Sequence, residues 1–179
     1  MIICLTGMPG SGKTVVADML TRKGFHVYEM SRILKDMMRD RGVKVTVKSL
    51  EDFAYKVRKE KGKDIVAVEL AKKVRKHNYK NIVISGMRSV DEFRYIRRGF
   101  DGAVVVAIIA QRSIRYRRMR KRKKNSVKTR KEFDYREQNN IKRLGIRHVI
   151  RSADHKIYNN GNMRDLERKV DLLIEKLRA

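Results

Sequence analysis

The 179-residue chain has 41% hydrophobic side chains, enough to bury the core of one compact domain that spans residues 1–179. Its one cysteine, Cys4, excludes an internal disulfide, and its four histidines lack the spacing of zinc ligands. The apolar stretch at the start is too short for the core of a signal peptide. No stretch approaches the roughly 20 apolar residues that a membrane span requires. We therefore expect a cytoplasmic protein that does not enter a membrane.

The charge of the chain is strongly positive, with 46 Lys and Arg against 20 Asp and Glu and a formal net charge of +26. A positive charge of this size creates an electrostatic field that attracts polyanions, and the resulting affinity for nucleic acid falls steeply as the salt concentration rises. One bound nucleotide would use only a handful of these cations. The remaining charge has two interpretations, weak nucleic-acid binding or a solvated surface. Ion-pair networks need both signs, and here the acids are outnumbered more than two to one.

The first half of the chain alternates short apolar runs with helical patterns. The apolar runs predict strands at 2–5, 25–28 and 81–86. Helical spacing predicts helices at 13–24, 31–42, 49–61, 64–76 and 89–98. Ser31 is a candidate cap for the second of these helices, and Ser49 and Glu51 are expected to begin the third.

The second half begins with the most apolar run of the chain, residues 103–109, which predicts a central strand. A basic helix, a polar connection through Asn125 and Ser126, and a helix over about 131–144 follow. A short strand at 156–158 and an amphipathic helix at 163–177 close the chain. Wholly apolar strands that alternate with helices indicate a parallel sheet covered on both faces. The predicted fold class is therefore a three-layer α/β/α domain.

A glycine-rich pattern separates the first strand from the first helix. It has the spacing of the phosphate-binding loop (P-loop, or Walker A motif) and comprises Gly7, Met8, Pro9, Gly10, Ser11, Gly12, Lys13 and Thr14. Backbone N–H groups of such a loop and the N-terminus of the next helix bind phosphate oxygens. Lys13 is expected to contact the β- and γ-phosphates, and the Thr14 hydroxyl to ligate Mg²⁺. The pattern predicts a nucleoside triphosphate, ATP, and Mg²⁺ as cofactors.

Three motifs together carry a resemblance that spans nearly the whole chain. They are Thr6-Gly7-Met8-Pro9-Gly10-Ser11-Gly12-Lys13-Thr14, Ser85-Gly86-Met87-Arg88-Ser89 and Ala153-Asp154-His155-Lys156-Ile157-Tyr158-Asn159-Asn160-Gly161. The chain resembles an archaeal family of adenylate-kinase-related P-loop proteins, which is itself similar to dephospho-CoA kinases. The resemblance implies a nucleoside-monophosphate-kinase fold with a five-stranded parallel sheet. It also implies an acceptor-binding region at about 30–78 and a basic lid at about 112–140.

The resemblance implies roles for residues outside the P-loop. Arg88 follows the third strand, where related kinases place an arginine that holds the acceptor phosphate. The alternative is a surface arginine that caps the next helix with Asp91 or Glu92. Asn160 and Gly161 fall in a loop that resembles one that packs against the nucleotide base. The alternative there is an ordinary turn, because Asn-Gly is a common turn pair.

The lid is the most basic segment of the chain. Nine of its thirteen residues at 112–124 are cationic, namely Arg112, Arg115, Arg117, Arg118, Arg120, Lys121, Arg122, Lys123 and Lys124. In the family fold, lid arginines close over the triphosphate and neutralise charge on the transferring phosphoryl group. Arg118 and Arg122 are four residues apart and are expected to face the nucleotide from one side of a helix, with Arg115 approximately on that side. Arg136 is a candidate for a γ-phosphate contact.

Two positions depart from the family pattern. Related kinases usually end the third strand with an aspartate that organises Mg²⁺ through water, where this chain has Ser85. A serine hydroxyl cannot offset the charge of the cation, so we expect weaker Mg²⁺ binding unless ATP carries the metal. Similar proteins tend to place Gly-Asp early in the acceptor helix, where this chain has Ser31-Arg32. The positive charge either strengthens phosphate binding or indicates a different acceptor.

The leading functional prediction is an ATP-dependent kinase that acts on a nucleotide acceptor, AMP-like first and dephospho-CoA second. Catalysis would consist of positioning and charge neutralisation. The groups assigned to it are Lys13, Arg88, Arg118 and Arg122, with Thr14 on the metal. No general base is evident. Asp18, one turn beyond Thr14, is either an acceptor-orienting group or a solvated residue.

The alternative prediction is a nucleotide-switched module that binds RNA or a ribonucleoprotein through the basic lid and hydrolyses its nucleotide slowly. The net charge of +26 and the serine at position 85 support it. However, Tyr116 is the only aromatic residue in the basic run, so base stacking would be sparse. Salt-sensitive RNA binding that responds to ATP would separate this function from an acceptor-dependent kinase.

Overall fold

The computed structural model describes residues 1–77, 79–122 and 126–179. The five strands in these ranges are β1 (Ile2–Thr6), β2 (His26–Glu29), β3 (Ile82–Met87), β4 (Val104–Ile109) and β5 (His155–Tyr158). The helices in the same ranges are α1 (Lys13–Arg22), α2 (Met30–Asp40), α3 (Val47–Lys61), α4 (Ile65–Lys76), α5 (Val90–Gly99), α6 (Arg112–Arg120), α7 (Arg130–Lys142), α8 (Ile146–Arg151) and α9 (Met163–Arg178). No helix of the described ranges combines the length and apolar character needed to cross a membrane.

All five strands are parallel and lie in the order β2-β3-β1-β4-β5, which confirms the predicted sheet. Alternate residues of β1, β3 and β4 enter different cores, as the twofold period of a strand requires. On β1, Cys4 packs with α2, α3, α4 and α5, whereas Ile3 and Leu5 pack with α1 and α9. The sheet is therefore covered by helices on both faces. This arrangement places the carboxyl ends of all strands, and the loops that follow them, on one edge.

Two predicted helix starts are wrong. Helix α2 begins at Met30 and its N-cap is Glu29, without a side-chain capping bond, so Ser31 lies inside the first turn. Helix α3 begins at Val47, and the Thr46 side chain accepts a hydrogen bond from the Ser49 N–H. Ser49 therefore completes a capping box rather than beginning the helix. Ser31 has a residue type that is common at caps, but the position of the cap depends on where the backbone leaves the preceding strand.

The segment after the lid forms two helices where one was predicted over 131–144. Helix α7 ends at Lys142, and Gly145, with φ of 67°, precedes the short helix α8. The apolar face of α8 is buried, since Ile146 and Val149 are both 0% exposed. Its six residues are too few to show a helical period in the sequence. Helices α6 and α7 join through a small core of Met119, Val127 and Phe133.

Candidate phosphate and acceptor site

The P-loop lies at the carboxyl end of β1 and leads directly into α1. Its three glycines, Gly7, Gly10 and Gly12, have positive φ angles of 144°, 83° and 107°. The Ser11 N–H donates to the Met8 carbonyl oxygen at 3.1 Å, which closes the turn. Thr14 is exposed at the start of α1, where the backbone N–H groups have no carbonyl partner within the helix. The loop therefore has the shape of an anion-binding site.

Lys13 is folded against the loop that precedes it. Its Nζ donates hydrogen bonds to the carbonyl oxygens of Gly7 at 2.7 Å and Met8 at 3.2 Å. Burial, followed by the positive charges of Arg88, Arg122 and Arg115, lowers the pKa of Lys13 to about 7. Phosphate oxygens at this position would replace the two neutral carbonyl oxygens as hydrogen-bond acceptors. They would also give the Lys13 ammonium group a negatively charged partner.

We expect proton uptake when a non-hydrolysable ATP analogue binds with Mg²⁺. A lowered pKa means that Lys13 is mostly neutral above pH 7, and the bound phosphates raise this pKa again. At pH 8 uptake should approach about 0.9 proton per bound nucleotide, and the contribution of Lys13 should vanish below pH 6, where the amine is already charged. Calorimetry in buffers of different ionisation enthalpy measures the uptake. Equal proton counts for the wild type and Lys13→Ala would contradict the assignment.

Asn159 holds the P-loop from the other side, and the sequence did not single it out. Its side chain, in a residue only 5% exposed, donates from Nδ2 to the Ser11 carbonyl oxygen at 2.8 Å. Its Oδ1 accepts a hydrogen bond from Arg118 at 3.2 Å. The Arg118 guanidinium also donates to the Ser11 carbonyl oxygen at 3.5 Å. One signal was available, since Asn159 is the first residue after β5 and belongs to the quoted Asn-Asn-Gly motif.

The next residues of that motif, Asn160 and Gly161, make other contacts. Asn160 is exposed, and its Oδ1 accepts a hydrogen bond from the Gln111 N–H at 2.9 Å. This bond joins the end of β5 to the start of α6. Gly161 is exposed in the same loop. A contact of Asn160 and Gly161 with a nucleotide base stays a prediction.

The lid arginines take different positions, and the predicted common helical face is wrong. Helix α6 ends at Arg120, so Arg122 follows the helix while Arg118 lies within it. Arg118 contacts the P-loop, whereas Arg122 lines the cavity described below. Lys123, Lys124 and Asn125 lie outside the described residues.

Arg115 joins the lid to the P-loop. It is 6% exposed and donates to the carbonyl oxygens of Ala110 at 3.0 Å and Pro9 at 3.3 Å. It also forms an ion pair with the buried carboxylate of Glu137 on α7. These contacts show that Arg115 supports the loop, and a contact of Arg115 with the nucleotide stays a prediction.

A cavity of about 830 Å³ opens between the P-loop, the helices that follow β2 and β3, and helix α7. Both predicted regions contribute to it. Residues 30–78 contribute through α2 and α3, and residues 112–140 contribute Met119, Arg122, Arg136, Asn139 and Asn140. Its described cationic lining residues are Lys13, Arg58, Lys59, Lys63, Arg88, Arg94, Arg122, Arg136 and Arg143. Two described carboxylates, Glu29 and Asp91, line it as well. The cavity is therefore strongly electropositive.

A buried carboxylate shapes the loop that carries Arg88. Glu92 on α5 is 1% exposed, and its Oε2 accepts hydrogen bonds from the N–H groups of Arg88 at 2.9 Å and Ser89 at 3.1 Å. Its Oε1 accepts a hydrogen bond from Arg58 of α3 at 2.6 Å. Ser89 is the N-cap of α5, so Glu92 takes part in the cap while the Arg88 side chain lines the cavity. The phosphate-holding role of Arg88 stays a prediction.

Two polar side chains singled out from the sequence, Ser85 and Asp18, lie in different surroundings. Ser85 on β3 is 6% exposed and pairs in register with Leu5 of β1 on one side and with Glu29 of β2 on the other. Asp18, the orienting group considered from the sequence, is exposed on α1 and is not among the described residues that line the cavity.

These features define a class of fold, the P-loop kinase-like fold, with a parallel five-stranded sheet and a glycine-rich loop after its first strand. Residues 3–142 match a family model described as an AAA domain. A UPF0200 protein of Pyrococcus abyssi is 35% identical, with 99% of this chain and 97% of the relative covered. One from Methanothermobacter thermautotrophicus is 32% identical, with 99% and 90% covered. The chain belongs to the UPF0200 family.

Solved structures with little sequence identity share the fold. TT1252 from Thermus thermophilus superimposes with a TM-score of 0.70 at 19% identity, covering 99% of this chain and 97% of that one. Shikimate kinase from Bacteroides thetaiotaomicron gives 0.64 at 16% identity, with 100% and 99% covered. A gluconokinase from Sinorhizobium meliloti gives 0.54 at 14% identity, with 98% and 94% covered. The expected fold class is confirmed, and the narrower likeness to adenylate and dephospho-CoA kinases stays a prediction.

Proposed function

We propose that this protein is an ATP-dependent kinase that transfers the γ-phosphate to a nucleotide acceptor, with an AMP-like molecule placed ahead of dephospho-CoA. The observation that carries the proposal is that the P-loop opens into the 830 Å³ cavity. That volume lies within the range of about 300–1,000 Å³ that is usual for small-molecule sites. Nine described Lys and Arg residues against two carboxylates favour an acceptor that carries phosphate.

The phosphate end of the site is suited to a triphosphate with its metal. Thr14 is exposed at the head of α1 and lines the cavity together with Ser85, so two hydroxyl groups face the phosphate position. Oxygen donors of this kind fit Mg²⁺, a hard cation that prefers oxygen ligands. When bound, the metal neutralises charge on the β- and γ-phosphates. Lys13 would exchange its two carbonyl partners for phosphate oxygens.

The arginines supply positioning and charge neutralisation in this proposal. Arg88 and Arg122 line the cavity and lie close enough to Lys13 for their charges to lower its pKa. Arg118 holds Ser11 and Asn159 and so keeps the phosphate loop closed. A transferring phosphoryl group between Lys13, Arg88 and Arg122 would be surrounded by positive charge, which is the main requirement of phosphoryl transfer.

A second function, RNA or ribonucleoprotein binding switched by the nucleotide, is favoured by the charge outside the cavity. The chain has a net charge of +26, and the cavity lining uses nine of its 46 Lys and Arg among the described residues. Most of the positive charge therefore lies elsewhere, where a long polyanion could contact it. This function remains the alternative if no small acceptor is phosphorylated.

The test is a coupled assay of ADP release with Mg·ATP, run with AMP, other nucleoside monophosphates and dephospho-CoA. We expect one acceptor to raise the rate at least about tenfold above the rate with water alone, and Lys13→Ala to abolish that increase. Lys176→Ala, an exposed lysine of α9, is the matched control and should retain the full rate. A rate that stays at the basal level with every acceptor contradicts the kinase proposal, and RNA binding with and without ATP is then measured.

A further inference from the structure

Glu29 is a carboxylate at the phosphate edge of the sheet that has no partner among the described residues. It ends β2 and acts as the N-cap of α2 through its backbone, but its side chain makes no capping hydrogen bond. No described cation pairs with it, although nine Lys and Arg residues line the same cavity. A half-buried carboxylate in such a positive cavity would normally be paired.

The sheet brings Glu29 close to the predicted metal position. The carboxyl end of β2 lies beside that of β3, where Glu29 is in register with Ser85, and Ser85 is in register with Leu5 of β1. Neighbouring strands are about 4.8 Å apart, so the Glu29 backbone lies about 10 Å from the strand that leads into the P-loop. The glutamate side chain and one water molecule can span much of that distance. Both Glu29 and Thr14 line the cavity.

The positive charge of the cavity means that a bound divalent cation needs anionic groups nearby. A divalent cation entering among nine described positive side chains is repelled unless anions surround it. The phosphates supply most of that charge, but Ser85 adds none. The other described lining carboxylate, Asp91, lies in the first turn of α5, beside Lys63 and Arg94 in an adjoining pocket. Glu29 is therefore the described carboxylate that is placed at the phosphate end.

We propose that Glu29 positions the nucleotide-bound Mg²⁺ by accepting a hydrogen bond from a water molecule in its coordination shell. Thr14 and the phosphates of the nucleotide would hold the metal directly, and Glu29 would act through the water molecule from the same cavity lining. The carboxylate thus comes from β2, one strand away from the serine at the end of β3. This inference rests on the nucleotide site of the proposed function, but it does not depend on which acceptor is phosphorylated.

The test uses Mn²⁺ as the metal probe and ADP as the nucleotide. Free Mn²⁺ is measured by electron paramagnetic resonance during titration of the protein–ADP complex, and metal-free ADP binding is measured separately with EDTA present. Removal of a metal-orienting partner commonly costs about 10- to 100-fold in metal affinity. We expect Glu29→Gln to weaken Mn²⁺ binding about tenfold while metal-free ADP binding stays within about twofold of wild type. Glu60→Gln, at an exposed carboxylate of α3 that is not among the described lining residues, is the matched control and should leave the Mn²⁺ affinity unchanged.

A second variant separates metal positioning from a structural role. Ser85→Asp in the Glu29→Gln background returns a carboxylate to the neighbouring strand, and we expect it to recover most of the lost Mn²⁺ affinity. If Glu29 had only a structural role, Ser85→Asp would not restore the Mn²⁺ affinity of the Glu29→Gln variant. The inference is overturned if Glu29→Gln binds Mn²⁺ like wild type, if it loses metal-free ADP binding, or if Ser85→Asp restores nothing. Because this experiment measures binding, its result does not depend on whether the kinase assay detects phosphoryl transfer.

Discussion

Gly12→Ala should weaken ADP binding at least about tenfold without unfolding the protein. Gly12 has φ of 107°, and a Cβ atom there would lie 2.2 Å from Nδ2 of Asn159. The buried Asn159 side chain cannot move away without loss of its hydrogen bonds to Ser11 and Arg118. The loop must therefore open at the point where phosphates are expected to bind. Calorimetric titration with ADP gives the affinity, and thermal unfolding shows that the fold is retained.

Gly24→Ala is the matched control because it has the same kind of backbone strain without the clash. Gly24 has φ of 85°, and no heavy atom lies within 4 Å of the position that an alanine Cβ would take. A left-handed conformation costs an alanine about 1–2 kcal/mol, so the control should lose some stability and keep its ADP affinity. If both variants bind ADP equally well, the contact between Asn159 and the loop does not support the nucleotide site.

Glu92→Ala should lower the free energy of unfolding by about 3–5 kcal/mol, the cost of breaking a buried ion pair. The Arg58–Glu92 pair joins α3 to α5 at 2.6 Å, with the two side chains 11% and 1% exposed. Loss of the carboxylate also leaves the N–H groups of Arg88 and Ser89 without their acceptor. Urea denaturation measures the change. We further expect any acceptor-dependent rate to fall more than ADP affinity, because Arg88 lies on the loop that is released.

Glu60→Ala controls for the loss of a carboxylate at the surface of α3. Glu60 pairs with Arg41 at 3.4 Å and with Lys56 at 3.8 Å, and its side chain is 41% exposed. Exposed pairs contribute at most about 1 kcal/mol, so this variant should be nearly neutral. A cost for Glu92→Ala that is no larger than that of Glu60→Ala would show that the buried carboxylate does not organise the Arg88 loop.

The predicted nucleotide site lies largely within one short segment, whereas the residues of the predicted acceptor site come from segments far apart in the sequence. The P-loop could be identified from the sequence because its glycines, Lys13 and Thr14 lie within eight consecutive residues between one strand and one helix. The central strands β1, β3 and β4 were identified because each is a short apolar run that is largely buried, whereas β2 and β5 are only partly buried. Helix boundaries were less certain. Ser31 was a reasonable cap by residue type, yet α2 begins directly at the end of β2.

The contacts that complete the site join distant parts of the chain. Asn159 reaches Ser11 across 148 residues, and Arg58 reaches Glu92 across 34. Neither pairing has a sequence pattern, because a long-range hydrogen bond depends on the packing of whole helices and strands. The roles of the individual lid arginines are likewise not evident from the sequence. Its basic composition was evident, but only the packing separates the buried Arg115, which supports the loop, from Arg122, which lines the cavity.

The sequence by itself determined the fold class, the phosphate-binding loop and the basic character of the lid, since each depends on periodicity or composition within a short segment. The tertiary structure decided which strands are neighbours, and so placed Glu29 beside Ser85 at the phosphate edge. Strand order cannot be read from apolar runs that all look alike. The proximity of the carboxylate at the end of β2 to the serine at the end of β3 therefore has no signal in the sequence.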